Sequence, residues 1–187
     1  MSSPFEMSSR RTPFEVSVAE TMAENNLQLK KVPSDGNCFF ASLVTCFAAL
    51  GKRSSVTVFR HYFANYLTKY KDVLAPFFSS EGGTEEEFMA AVRLVSEDRF
   101  WDHQIIDLVV SCATEVLKMN VTIFDIDQEG NVTKYEHVYN PLSDRPASPP
   151  ISARPRKPEP EVKAWPTIHL LRQDGNHFDA FIPGEGK

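Results

Sequence analysis

Cysteine is scarce in this sequence; Cys38, Cys46 and Cys112 are the whole set. An odd number with no CxxC spacing excludes a disulfide framework, a zinc site and a thioredoxin-type redox pair. Free thiols point instead to a reducing compartment. Basic excess is missing too. A net charge of −5 argues against the broad cationic face that nucleic-acid binding needs, so no nucleic-acid partner is expected. Mild acidity serves solubility and would also suit a basic partner. No run approaches the roughly 18 apolar residues of a membrane span. The opening "MSSPFEMSSRRTPFEVSVAE" lacks the continuous apolar stretch of a signal peptide. The expectation is a soluble, cytoplasmic monomer with no membrane partner, metal or cofactor. Nuclear access or delivery into a host cell stays open.

What is present suits one core. Fourteen Phe within a 42% hydrophobic chain can fill a single globular domain. That domain is expected over 16–187, behind a loose Ser/Pro/Arg-rich tail at 1–15. "SVAETMAENN" has helical composition, and "LQLKKV" (27–32) alternates like a short extended segment. From Cys38 onward, Phe40, Leu43, Phe47 and Leu50 recur at spacings of 3, 4 and 3, and Gly51 stops the pattern. This is a helix with one buried stripe. Val56, Phe59, Phe63 and Tyr66 mark a second helix over 55–70. Thr84 with Glu87 forms a capping box that opens a third, whose stripe is Phe88, Ala91, Val92 and Val95. "FWDHQIIDLVVSCATEVLK" (100–118) reads as a fourth. Cys112 lies in its apolar stripe and reads as a core thiol, as does Cys46.

The pattern then changes to strands. "NVTIFDI" (120–126) and "VTKYEHVY" (132–139) flank the turn "DQEGN" and read as a hairpin. Residues 141–166 hold eight prolines and few large apolar side chains, and read as an inserted extended loop. "TIHLLR" and "HFDAFIP" flank "QDGN", whose Asp-Gly is a hairpin signal. Helices first and strands last give an α+β class with a mainly antiparallel sheet. No internal repeat is visible.

The stretch "PSDGNCFF" (33–40) puts Cys38 at the first turn of a core helix, directly after a turn signal. Unpaired N–H groups and the helix dipole there favour a thiolate. The same donors can hold an oxyanion on an acyl carbon under attack. Gly36 allows close backbone approach, while Asp35 and Asn37 tolerate turn geometry. A partly buried cysteine after an ordinary turn is the competing reading. A nucleophile also needs a base. His61 and His103 fall in helices and His137 and His169 in strands, whereas His177 starts the last strand two residues before Asp179. Strand period places His177 and Asp179 on one face, so the carboxylate can fix the imidazole tautomer and leave the other nitrogen for a thiol. Cysteine, histidine and carboxylate together make the arrangement of nucleophilic acyl transfer, with Cys38 and His177 expected within hydrogen-bond reach.

"DGNCFFASL" (35–43) followed by "NHFDAF" (176–181) resembles the ovarian tumour (OTU) family of cysteine deubiquitinases, over roughly residues 27–183. The resemblance implies an OTU-type, papain-like α+β fold and hydrolysis of ubiquitin–lysine isopeptide bonds, with ubiquitin or polyubiquitin as partner. It implies Cys38 as nucleophile, His177 as base, and Asp179 as the residue orienting the histidine. Asp35, counted with the catalytic set in some members, forms with Gly36 and Asn37 the loop near the oxyanion. Trp101 matches a family tryptophan, although Asp102 replaces the glycine that usually follows it. Trp101 and Phe178 are candidate cleft residues. Two other readings stay open: a binding module for ubiquitin or a related modifier without catalysis, and a thiol protease acting on another modifier.

Overall fold

A computed structural model describes residues 11–78, 84–140 and 165–184. The tail to residue 10 and the proline-rich stretch at 141–164 lie outside the described residues. Local chemistry starts several of the helices. The Thr12 hydroxyl accepts the N–H of Glu15 and the Glu15 carboxylate accepts that of Thr12. With Pro13 at the first helical position, this capping box opens α1 (Pro13–Asn25) inside the stretch expected to be loose. Asn26, left-handed at φ 50°, ends it and leads into β1 (Leu27–Lys30). Next come α2 (Cys38–Ala49) and α3 (Val56–Lys69), the latter capped by Ser55. A short α4 (Lys71–Leu74) and a 3₁₀ turn at Ala75–Phe77 were not expected. The Thr84–Glu87 box opens α5 (Glu85–Val95) as its spacing predicts.

The single helix expected over 100–118 is two, α6 (His103–Ser111) and α7 (Ala113–Leu117). Cys112, at φ −84° and ψ −3°, stands between them as the residue before α7. Its N–H still bonds Leu108 and its carbonyl still accepts from Val116, so the apolar stripe runs on through the turn. Four strands complete the fold: β2 (Asn120–Ile126), β3 (Val132–His137), β4 (Thr167–Gln173) and β5 (His177–Pro183). Asp174 (φ 49°) and Gly175 (φ 69°) make the tight β4–β5 turn, the geometry for which Asp-Gly is selected.

Sheet order is β1-β5-β4-β2-β3. Three of the pairings are antiparallel, and β2 with β4 is parallel. The main helical layer covers one face, where Phe39, Phe40, Phe63 and Phe178 meet edge to face. The smaller cluster of Val18, Leu27, Phe124, Ile126, Leu171 and Phe181 joins α1 to the sheet. Each fully buried Phe contributes about 1.5–3 kcal/mol by leaving water, which makes β5, next to both clusters, the anchor of the fold. Among the described residues no helix is long and apolar enough to cross a membrane.

Candidate active site

α2 starts at Cys38 because the Asp35–Gly36–Asn37 turn ends the extended chain before it. Gly36 sits at φ +79°, and a Cβ there would meet the carbonyl oxygen of Arg99 at 2.1 Å. Only glycine fits. Asp35 Oδ1 accepts the N–H of Asn37 at 3.1 Å, closing the turn. Cys38 is 3% exposed. Burial pushes its thiol above the ordinary value; the N–H groups of Phe178, Phe39 and Cys38 pull it down, and the charge of Asp35 pushes it up. The helix-start donors argued from sequence are therefore present. Desolvation outweighs them, so the net push on the Cys38 thiol is upward, against the pull of the helix start.

The loop is held from behind. Arg60 of α3, 1% exposed, donates from Nε (2.9 Å) and Nη2 (2.7 Å) to Asn37 Oδ1, and from Nη2 to the Gly36 carbonyl at 2.7 Å. Its Nη1 reaches the Val95 carbonyl at 2.8 Å and Nη2 the Phe100 carbonyl at 3.1 Å. Asn37 Oδ1 also accepts the N–H of Arg99, and its Nδ2 donates to Asp98. Arg99 is itself left-handed at φ 59°, so two special backbone positions lie back to back.

Across from this loop is β5. His177 Nε2 donates to Asp179 Oδ1 at 3.2 Å. Asp179, 1% exposed, also accepts the N–H of Val32 at 2.8 Å and the Gln173 amide at 2.6 Å. Nδ1 of His177 is buried with no hydrogen-bond partner. The expected bond from His177 to Cys38 is thus not made. The thiol instead meets the N–H of Phe178, which belongs to the peptide joining it to His177. Ser34, Gly36, Cys38, Trp101 and Asn176 line a cleft of about 300 Å³. A larger hollow of about 540 Å³ between α3 and α7 has neither cysteine nor histidine in its lining, and chemistry favours the smaller one.

The structure brings Cys38, Gly36 and Trp101 to one cleft, with the His177–Asp179 pair one peptide from the sulfur. Other expected residues are placed differently. Phe178 is 1% exposed and packs on Phe39 and Trp101, because strand alternation turns its ring into the helical core. Its backbone N–H, not its ring, faces the site. Asp35 makes no bond to His177; its carboxylate holds the Asn37 N–H and lies 3.8 Å from Arg99 Nε. The Asn37 N–H is thereby occupied, leaving Gly36 and Cys38 as backbone donors of the loop. Arg60, Gln173, Ser34 and Asn176 had not been singled out. Arg60 had a signal: it falls in the buried stripe between Val56 and Phe63, where a guanidinium must find acceptors. Among the described residues no group of three or more His, Cys, Asp or Glu could hold a metal ion.

The family model for OTU-like cysteine proteases matches residues 33–151, more than half of the chain. The chain belongs to this family. Relatives of this OTU chain include the deubiquitinase OTUD6B of Xenopus laevis, 25% identical over 130 residues, which are 67% of this chain and 43% of that protein. The Mus musculus OTUD6B is 24% identical over 129 residues, with the same coverage of 67% and 43%. The chain therefore spans less than half the length of the curated relatives it matches. The OTU domain of OTUD1 superposes with a TM-score of 0.63 at 16% identity, covering 91% of this chain and 95% of that one. These relations establish the α+β, papain-like OTU fold.

Proposed function

We propose that this OTU chain is a cysteine isopeptidase that hydrolyses the bond between the ubiquitin C-terminus and a lysine. The observation that carries the reading is the buried Asp179–His177 pair, its second ring nitrogen unpartnered, one peptide from the Cys38 sulfur at a cleft. In this scheme Asp179 holds the Nε2 proton, so Nδ1 is the lone-pair nitrogen. Nδ1 takes the Cys38 proton as substrate enters, and the sulfur attacks the carbonyl carbon. A thiol raised by burial suits proton transfer at the moment of attack over a standing thiolate. Backbone N–H groups of Gly36 and Cys38 hold the oxyanion. The C–N bond breaks as Nδ1–H protonates the leaving lysine amine, leaving a thioester on Cys38. Water, deprotonated by Nδ1, then releases the ubiquitin carboxylate and restores the thiol.

Ubiquitin as substrate is supported by relatives named as deubiquitinases and by the fold's likeness to a Hazara virus OTU solved bound to ubiquitin, with a TM-score of 0.51 at 18% identity. That match covers 83% of this chain and 80% of the viral one. The test is cleavage of di-ubiquitin by wild type, Cys38→Ala and His177→Ala, beside labelling with a ubiquitin C-terminal electrophile. Wild type should cleave and label at Cys38, and both variants should lose turnover by on the order of 10³-fold or more. Full cleavage by Cys38→Ala would sink the scheme. Binding of ubiquitin by the wild type without turnover would make the chain a receptor.

A further inference from the structure

Arg60 has no part in the chemistry above, yet it is among the most buried residues of the chain. Its guanidinium lies 4.5 Å from the Phe40 ring centroid and donates to four oxygens, on Asn37, Gly36, Val95 and Phe100. Arg60 does not itself line the cleft, although its partner Gly36 does. Its bonds join two backbone segments. One is Gly36–Cys38, which carries the nucleophile. The other runs from Val95 to Phe100 and leads straight into Trp101, which also lines the cleft. Gly36 and Arg99 both have positive φ, and the Arg99 carbonyl occupies the place that a side chain on Gly36 would need. A left-handed arginine such as Arg99 persists only where its surroundings over-determine it. A planar fork with five N–H donors supplies that constraint; a single ammonium cannot reach all four acceptors.

Resting on Cys38 as nucleophile, we infer that Arg60 is a positioning residue that sets the backbone N–H groups of the Gly36–Cys38 loop, and the spacing from that loop to Trp101, for acyl transfer. The consequence separates two reactions of one sulfur. Iodoacetamide alkylation replaces iodide at a saturated carbon and develops no oxyanion, whereas amide hydrolysis requires the loop donors in place.

The experiment compares wild type with Arg60→Lys, reading hydrolysis of a ubiquitin C-terminal amide and Cys38 alkylation by iodoacetamide. Arg60→Lys should lower kcat about 10²-fold, with KM and alkylation each within about threefold of wild type. Wild-type kcat overturns the inference, as does alkylation that falls in step with turnover, which is general loss of fold. If Arg60→Lys does not fold, Asn37→Ala removes two of the guanidinium's bonds and leaves the rest. It should show the same split at about 10-fold in kcat, and wild-type kcat there overturns the inference equally. Failure of the wild type to turn over defeats the catalytic reading itself, whereas an active wild type with an unaffected Arg60→Lys defeats this inference alone.

Discussion

On one side of the cleft, Asp35–Gly36–Asn37 lies outside every strand and keeps its shape through side chains: Arg60, Asp35, and the amide of Asn37. On the other side, His177 and Asp179 ride on β5, laddered to β4 by Gln173–His177 and Leu171–Asp179 pairs, with β1 alongside further down the strand. Only one side has a backbone that the sheet would hold without its side chains. Substitutions in the loop should therefore damage geometry and chemistry together. On the strand they should damage chemistry while the fold survives.

The sharpest way to break that contrast is Gly36→Ala. A left-handed φ costs a non-glycine residue on the order of 1–3 kcal/mol, and the added methyl meets a backbone oxygen that cannot swing aside. Turnover should fall by more than about 100-fold, together with the thermal midpoint. A normal midpoint would show the loop to be softer than its bonds suggest. Asp179→Asn comes next. It removes the charge that steadies the imidazole, and kcat should fall on the order of 10²-fold, while circular dichroism stays native because the β4–β5 ladder remains. Unfolding on the scale of Gly36→Ala would erase the difference between the two sides.

Asp35→Asn should act more gently and with a definite sign. The Asp35 charge pushes the Cys38 thiol up, so removing it should move the midpoint of the alkylation rate against pH downward. An upward shift would mean that Asp35 serves mainly by shaping the turn. Smallest of all is the expected labelling of the other two thiols. Burial pushes Cys46 up to about 12 and Cys112 up to about 11, so neither should react with iodoacetamide in the native chain at neutral pH. Cys46 also lends a pH dependence to stability. Its folded value lies above the ordinary 9.0, so above that pH the unfolded chain sheds a proton that the folded one keeps. Stability should fall as pH rises from about 9 towards 12. Mass spectrometry of alkylated sites and alkaline melting check these two statements.

Several elements could be read without tertiary information because the forces forming them act within a few residues. The Thr84–Glu87 box, the stripe from Phe40 to Leu50, the Asp174–Gly175 turn and the shared face of His177 and Asp179 are all of this kind. The start of α1 is local too, yet the Ser/Pro/Arg composition around it hid the Thr12–Glu15 box. The parallel pairing of β2 with β4 had no sequence signal, since it joins segments some fifty residues apart that are not neighbours in chain order, β3 coming between them.

Chain neighbours were enough to set the cast and its local posture: a cysteine opening a helix after a glycine turn, and a histidine and aspartate in step on a strand. Tertiary structure alone decided how that cast behaves. It chose desolvation over the helix-start donors at Cys38, turned Phe178 into the core, gave Asp35 to the turn, and placed Arg60 behind the loop. Range separates the two. Capping, turn geometry and periodicity depend on neighbours in the chain, whereas burial and the partners of a buried charge depend on everything the fold packs around them.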